Sequence, residues 1–182
     1  MKILVVVDMQ NDFITGVLGN EQTKAVVPNV VKRIQKSIAD NDKIYFTKDT
    51  HYADYLTTIE GKKLPVPHCM IGTTGWGLIP EIKDLHITDI YENTIEKDTF
   101  GSTNLIDYII DNVGFAGDIS DIESITIIGV CTDICVISNA MLLKAYFPNT
   151  PIIVDSSCCA GVTEDSHNNA LNAMKMCHID II

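Results

Sequence analysis

The chain is poor in positive charge. Its 182 residues include 13 Lys and Arg against 24 Asp and Glu, which gives a formal net charge of −11. Binding to the phosphate backbone of a nucleic acid requires clustered cations, and binding to an anionic membrane surface requires them too. The composition therefore argues against nucleic acids and against membranes as partners.

Long apolar runs are also missing. No run of apolar residues approaches the ~20 that are needed to span a bilayer. The short apolar run at residues 3–7 ends at Asp8, and no small-residue cleavage site of the signal-peptide kind follows it. We therefore interpret this run as a strand and predict a cytoplasmic protein.

Closely spaced cysteine pairs are absent as well. None of the six cysteines forms a Cys-x-x-Cys motif, which argues against a zinc ribbon or a thioredoxin-type site. The chain is too large to need disulfide staples, and Cys158 is adjacent to Cys159, so we predict free thiols in a reducing compartment. We interpret Cys158, Cys159 and Cys177 as packing residues.

The proportions of apolar and charged residues are those of a globular protein. Apolar residues make up 46% and charged residues 20% of the sequence, and neither a repeat nor a linker interrupts it. A length of 182 residues is within the ordinary range for one domain. We expect residues 1–182 to form a single domain.

Short β-branched-rich runs alternate with segments of helical spacing. The predicted strands are residues 3–7, 43–47, 87–91, 125–130, 151–154 and 179–182. The predicted helices cover residues 27–38 with Pro28 in the first turn, 105–110, 135–146, and 164–176 with Thr163 as the N-cap. Alternating strands and helices predict an α/β fold: a three-layer sandwich with a mostly parallel central sheet and helices on both faces.

Polar residues follow three of the predicted strands. These are Asp8, Asp49 and the segment from Cys131 to Cys135. Ligands of open α/β sheets bind beyond the carboxyl ends of the strands, so we expect these groups to meet there. Cys135 lies where a helix begins, and the free N–H groups at that point favour a thiolate and can hold an oxyanion. A buried, inert cysteine is the alternative that position alone leaves open.

A second set of polar residues has metal-ligand chemistry. Asp49 and His51 lie two residues apart near a strand end, and His68 follows in the irregular segment that covers residues 50–80. Asp and His are ordinary ligands of zinc, manganese or iron, and such a trio leaves coordination positions open for a substrate. Glu60 lies in the same segment and can complete the set. Capping or core roles for the histidines stay open at this point.

Four motifs occur in a fixed order along the chain. They are Val-Asp-Met-Gln-Asn-Asp-Phe at residues 7–13; Thr-Lys-Asp-Thr-His at 47–51 with Pro-His-Cys at 67–69 and Gly-Thr at 72–73; Lys97 followed by Phe-Gly-Ser at 100–102; and Gly-Val-Cys-Thr-Asp-Ile-Cys-Val at 129–136. With these motifs the sequence resembles the isochorismatase-like cysteine hydrolases, and within them the nicotinamidases (pyrazinamidases). The resemblance runs through the whole chain.

The resemblance implies a catalytic triad. Cys135 would be the nucleophile, Asp8 the general acid and base, and Lys97 the cation that supports both. Without the resemblance, Lys97 would be interpreted as a solvated surface lysine. The resemblance also implies a cis peptide bond between Val130 and Cys131, and an oxyanion hole formed by the N–H groups of Cys131 and Cys135.

The resemblance further implies a divalent metal ion, with zinc, manganese and iron left open. In the nicotinamidase branch this metal holds the pyridine nitrogen of the substrate. The implied ligands are Asp49, His51 and His68, with Glu60 as the candidate fourth. Phe13 and Phe100 would line the pocket for the substrate ring.

The expected function is amidase activity that converts nicotinamide to nicotinate and ammonia through a thioester on Cys135. Three departures from the family pattern leave another small amide, a carbamoyl compound or a ureido compound as the alternative. They are the residues Leu-Pro-Val at 64–66, a segment at 52–63 that is not rich in His, and an apparent insertion at 112–123. A non-catalytic metal-binding or interaction protein is the third alternative, and both a monomer and a homo-oligomer stay open.

Overall fold

The computed structural model describes residues 1–113 and 119–182. Its sheet contains six strands in the order β3-β2-β1-β4-β5-β6, and every neighbouring pair is parallel. The α/β fold with a parallel central sheet is thereby confirmed. The strands are β1 (Lys2–Val7), β2 (Lys43–Asp49), β3 (Thr94–Lys97), β4 (Ser124–Val130), β5 (Ile152–Ala160) and β6 (Asp180–Ile181).

Helices connect the strands. The α-helices are α1 (Asn11–Ile14), α2 (Glu21–Ala39), α3 (Ile59–Lys63), α4 (Pro80–Lys83), α5 (Thr103–Asn112), α6 (Ile137–Tyr146) and α7 (Glu164–Met176). Short 3₁₀ turns cover Tyr55–Thr57 and Ile119–Asp121, and a π-helical turn covers Thr132–Val136 directly before α6. In the described part of the chain, we find no helix with both the length and the apolar character that a membrane crossing requires.

The two faces of the sheet carry separate apolar cores. Alternate side chains of β1 point to opposite faces, so Val5 joins one core and Val6 joins the other. The core on the Val5 side includes side chains of α5, α6 and α7, and the core on the Val6 side includes side chains of α2 and α4. The helices therefore cover both faces of the sheet, as predicted.

Some predicted boundaries are wrong. The predicted segment is not a strand: residues 88–91 form turns, and the strand lies instead at Thr94–Lys97. Ile87 and Ile90 pack against the core on the α2 face, and this burial explains the apolar pattern that predicted a strand. At the sheet edge, by contrast, β3 alternates between buried and exposed residues, so its sequence is only partly apolar.

The helix predicted at residues 27–38 is longer than expected. It begins at Glu21, after a capping box between Asn20 and Thr23, and Pro28 lies inside it. The first-turn position predicted for Pro28 is therefore wrong. Pro28 lies on the exposed side of α2, where water can bind the Lys24 carbonyl that loses its helical N–H donor.

Three further predictions need correction or fall outside the description. β5 continues to Ala160, whereas the polar residues after Val154 predicted an earlier end. Cys177 is exposed, so it is not a packing residue, whereas Cys158 and Cys159 are buried. Of the insertion predicted at 112–123, residues 114–118 lie outside the described residues.

Gly129 marks a close approach between the central strands. Its φ is 118°, a conformation that residues with a side chain rarely adopt. A Cβ atom at this position would lie 2.1 Å from the carbonyl oxygen of Val7. Glycine is therefore required where β4 passes β1, one residue before Val130 ends the strand.

Candidate active site

The predicted site residues meet at one edge of the sheet. Asp8 directly follows β1, Asp49 ends β2, Lys97 ends β3, and the turn that contains Cys135 follows β4. These four strands are neighbours, and Asp49 and Lys97 are register partners. Because all the strands are parallel, their carboxyl ends bring residues from four distant segments together.

Lys97 lies between the two acids and the thiol. Its Nζ is 2.7 Å from Oδ2 of Asp8 and 3.7 Å from Oδ1 of Asp49, and it donates to Sγ of Cys135 at 3.6 Å. The Lys97 side chain is 1% exposed and that of Asp8 is 0% exposed. Thr47 Oγ1 also donates to Oδ1 of Asp8, at 2.6 Å. The structure therefore joins Asp8, Lys97 and Cys135 in one buried cluster.

Burial dominates the electrostatics of this cluster. It raises the pKa of Asp8, and the charge of Lys97 opposes that rise only in part. Burial alone would lower the pKa of Lys97, but the Asp8 carboxylate beside it outweighs this effect, so the pKa of Lys97 rises and the side chain stays a cation.

Cys135 responds to the same burial. Desolvation, and after it the Asp8 charge, raise the pKa of the thiol well above its ordinary value. The pKa of the thiol is thus raised and not lowered, so the thiolate that we expected at a helix start is not the resting state. The site holds a protonated thiol next to a carboxylate whose raised pKa makes it a stronger base.

The segment with Cys135 differs from the regular helix start that we predicted. Thr132–Val136 forms a π-helical turn, and the Cys131 carbonyl accepts the N–H groups of Ile134 and Val136. The peptide bond between Val130 and Cys131 is cis, in agreement with the family resemblance. Cys135 thus lies in a specialised turn between β4 and α6.

A second cluster lies beside Lys97. One ligand atom from each of Asp49, His51 and His68 lies within 4.8 Å of the other two, and all three residues are buried. Nε2 of His51 is 2.9 Å from Oδ2 of Asp49, and Nε2 of His68 is 3.3 Å from the same oxygen. Glu60 Oε1 lies 3.6 Å and 3.7 Å from these two nitrogens.

The hydrogen bonds around this cluster fit a metal ion. His68 Nδ1 is 2.9 Å from the Val66 carbonyl, which can only accept, so Nδ1 carries the proton. When the ring is neutral, the lone pair of Nε2 faces the Asp49 carboxylate. Burial lowers the pKa of His68, but this carboxylate raises it by a larger amount, because it favours a positive charge at that point. His51 Nε2 is buried, and the residues that the structure describes offer it no hydrogen bond of good geometry. Converging lone pairs repel one another unless a cation lies between them, so the donor set suits a divalent metal.

Two residues that we did not predict from the sequence contact this cluster. Gln10 Nε2 donates to the Asp49 carbonyl at 2.8 Å, and Gln10 Oε1 accepts the Asp49 N–H at 2.8 Å. The Tyr55 ring packs against both histidines, with centroid distances of 4.6 Å to His51 and 5.2 Å to His68. The position of Gln10 inside the motif at 7–13 was an available signal, whereas nothing local identifies Tyr55.

A cavity of about 900 Å³ opens in front of both clusters. It is lined by Cys131, Cys135, Glu60, Phe13 and Phe100, together with the cluster of Asp49, His51 and His68. The Phe13 ring meets His68 edge-on at a centroid distance of 5.6 Å, and Phe100 is 48% exposed. One small molecule can therefore contact the thiol, the cluster of Asp49, His51 and His68, and two aromatic rings.

Known proteins resemble this chain over nearly its full length. A nicotinamidase of Schizosaccharomyces pombe is 29% identical over an alignment of 216 residues that covers 98% of this chain and 91% of that protein. The solved structure of a pyrazinamidase/nicotinamidase from Streptococcus mutans superposes with a TM-score of 0.82 at 26% identity and covers all of both chains.

The fold also matches that of a more distant structure. A pyrazinamidase of Pyrococcus horikoshii, solved in complex with zinc, superposes with a TM-score of 0.75 at 23% identity and covers 100% of this chain and 98% of that one. The sequence model of the Isochorismatase domain matches residues 2–182. This match takes in every strand of the sheet and all the site residues described above, and the chain belongs to the isochorismatase family.

Proposed function

We propose that this protein is a cysteine amidohydrolase that converts nicotinamide to nicotinate and ammonia. The observation that carries the proposal is the position of Cys135. Its sulfur lies 3.6 Å from Lys97, which pairs with Asp8, and the residue lines the same cavity as the Asp49, His51 and His68 cluster. The similarity to proteins named nicotinamidases supports the same substrate.

In the first step, Asp8 acts as the base. The buried carboxylate takes the proton of the Cys135 thiol while the sulfur attacks the carboxamide carbon. A C–S bond forms, and the carbonyl oxygen becomes an oxyanion. Lys97 stays protonated and stabilises the negative charge as it moves between Asp8 and the sulfur. The N–H groups of Cys131 and Cys135 are the proposed donors to the oxyanion.

In the second step, the amide bond breaks. Asp8 returns the proton to the leaving nitrogen, so ammonia departs and a thioester remains on Cys135. A water molecule then attacks the thioester while Asp8 accepts one of its protons. The C–S bond breaks as Asp8 returns that proton to the sulfur, and the nicotinic acid that forms loses its own proton to solvent to give nicotinate. Each cycle consumes one amide and one water and regenerates both side chains.

In this proposal, the cluster of Asp49, His51 and His68 orients the substrate. Asp49, His51 and His68 would hold a divalent ion, with Glu60 as an additional ligand; the donor set suits zinc, manganese or iron. When bound, the ion supplies a Lewis-acid position for the ring nitrogen. Phe13 and Phe100 contact the ring faces or edges and exclude water from them.

The test is ammonia release from nicotinamide by the purified protein loaded in turn with zinc, manganese and iron. We expect release by the wild type and by Cys177→Ala, since Cys177 is exposed and outside the site. Cys135→Ala should release none. Release from Cys135→Ala at the wild-type rate would refute the proposed nucleophile.

The size of the cavity favours a second candidate substrate class. A volume of about 900 Å³ is near the upper end of the ~300–1,000 Å³ typical of pockets for drug-sized ligands, whereas nicotinamide is a single ring. Other small amides, carbamoyl compounds or ureido compounds therefore belong in the same assay. Turnover of one of them at a higher kcat/KM than nicotinamide would favour this class. The cytoplasmic location stays a prediction.

A further inference from the structure

Asn139 connects two segments that are distant in the sequence. It lies in the first turn of α6 and is 1% exposed. Its Oδ1 accepts the Ser102 N–H at 3.0 Å, and its Nδ2 donates to the Phe100 carbonyl at 3.3 Å and to the Cys135 carbonyl at 2.8 Å. One buried amide therefore binds the loop after β3 and the turn after β4 at the same time.

The loop that Asn139 holds continues directly from Lys97. It packs tightly on α6, because a Cβ atom at Gly101 would lie 2.7 Å from Cδ1 of Leu142 and 3.2 Å from Cβ of Ser138. At its end, Ser102 caps α5 by accepting the Leu105 N–H at 3.2 Å. Close packing fixes the distance between the loop and α6. The hydrogen bonds of Asn139 fix the position of the loop along the surface of α6.

The sheet alone cannot set the distance between Lys97 and Cys135. Lys97 ends β3, an edge strand, and Cys135 follows β4; β2 and β1 lie between these two strands. β3 and β4 are not paired directly, and Cys135 lies five residues beyond the end of β4. The 3.6 Å contact between Lys97 Nζ and Cys135 Sγ therefore also depends on connections beyond the strand ends. Asn139 makes such a connection, since it binds the Cys135 backbone and the loop that leaves Lys97.

We propose that Asn139 is a positioning residue for the reaction. Through the Cys135 carbonyl and the 100–102 loop, it holds the thiol at the correct distance from Lys97 and holds Phe100 at the cavity wall. Asn139 itself does not touch the substrate or the reacting atoms. The inference rests on the proposed function for the choice of substrate in one of its two assays.

Two variants distinguish the hydrogen bonds that Asn139 makes to the loop from its contribution to the structure of α6. In Asn139→Ser, the hydroxyl can still bond to the carbonyl four residues earlier, that of Cys135, but it is too short to reach the loop. In Asn139→Asp, an acceptor for the Ser102 N–H is kept while both donors are lost. The matched control is Ser138→Ala, which removes a neighbouring hydrogen bond to the Ile134 carbonyl and keeps the Cβ atom under Gly101.

Two measurements report on the position of the thiol. The first is the rate of Cys135 alkylation by iodoacetamide, followed by mass spectrometry of the peptide. The second is kcat and KM for nicotinamide, normalised to the titrated Cys135. Misplacement by about 1 Å can cost on the order of 100-fold in rate, so we expect kcat to fall about 10- to 100-fold in both Asn139 variants, with a smaller change in KM. Alkylation should slow as well, because Lys97 no longer stabilises the attacking thiolate. Ser138→Ala should stay near the wild type in both assays.

The outcomes are distinguishable. A purely structural role would lower the thermal unfolding temperature and leave kcat per titrated thiol near the wild-type value, and that result in Asn139→Ser would overturn the inference. If the wild type alkylates at Cys135 but releases no ammonia from nicotinamide, the proposed function fails. The alkylation rates then decide the inference alone: slower alkylation in both Asn139 variants supports it, and unchanged alkylation refutes it.

Discussion

Replacing Lys97 by Met tests the buried ion pair at the centre of the site. Methionine has similar length and no charge, so it leaves the Asp8 carboxylate, 0% exposed, without the cation that lies 2.7 Å from it. Removing one partner of a buried ion pair typically costs about 3–5 kcal/mol. Since domains are stable by only about 5–15 kcal/mol, we expect a large fall in the free energy of unfolding of Lys97→Met.

The pH dependence of this variant has a definite sign. Burial raises the pKa of Asp8 in the wild type while Lys97 opposes the rise, so losing Lys97 raises that pKa further. The folded variant then binds a proton that the unfolded chain, with its ordinary Asp pKa, releases. Stability is therefore greatest at acid pH and falls as pH rises through the raised pKa, by up to about 1.4 kcal/mol per pH unit. The deficit relative to the wild type should shrink as pH is lowered.

A double variant isolates the cause. Replacing both partners of a buried ion pair by neutral residues is often nearly neutral for stability. Asp8→Asn combined with Lys97→Met should therefore regain most of the stability that Lys97→Met loses. Both proteins should be inactive, since each lacks a member of the proposed triad.

The assay is urea unfolding, followed by the fluorescence of the single tryptophan and by circular dichroism. All proteins are first treated with a chelator, so that metal binding does not contribute to the free energy of unfolding. The reasoning fails if Lys97→Met unfolds at the wild-type urea midpoint. It fails equally if the double variant is as unstable as the single one, because the unpaired carboxylate would then not be the cause.

Three other changes have expected outcomes. Gly129→Ala should destabilise by more than about 4 kcal/mol in urea unfolding because its Cβ would strike the Val7 carbonyl, whereas Gly77→Ala should stay within about 1 kcal/mol; equal effects would contradict the close approach. His51→Ala should weaken metal affinity by more than about tenfold, measured by elemental analysis after dialysis against graded metal concentrations, and an unchanged content would argue against the ligand set. Thr163→Ala should cost about 0.5–2 kcal/mol through loss of the α7 cap, and an unchanged urea midpoint would contradict it.

Local sequence patterns predicted the elements whose signals lie within a few residues. α7 begins and ends where predicted, since Thr163 forms a capping box and the apolar spacing continues to Met176. The β-branched run at residues 3–7 predicted β1 for a similar reason: a strand buried on both faces has a continuous apolar sequence. The same signals failed for β3 and for the end of β5, where polar residues occupy the strand.

Burial of polar residues could not be predicted locally. Lys97 has the sequence context of an exposed lysine, and only the family resemblance singled it out, yet its side chain is 1% exposed in the structure. Tyr55 and Asn139 had no signal at all. Their roles depend on partners up to 39 positions away, and such partners become neighbours only when the chain folds.

The order of amino acids specifies which chemical groups the protein carries and places them at strand ends. It supplied a thiol, carboxylates, imidazoles and a lysine in motifs of fixed order. The distances between these groups depend on how the strands pair, because the strand order β3-β2-β1-β4 differs from the order along the chain and sets which ends are adjacent. Parallel pairing then directed all these ends to one edge, and burial in that position set the pKa shifts of Asp8, Lys97 and Cys135.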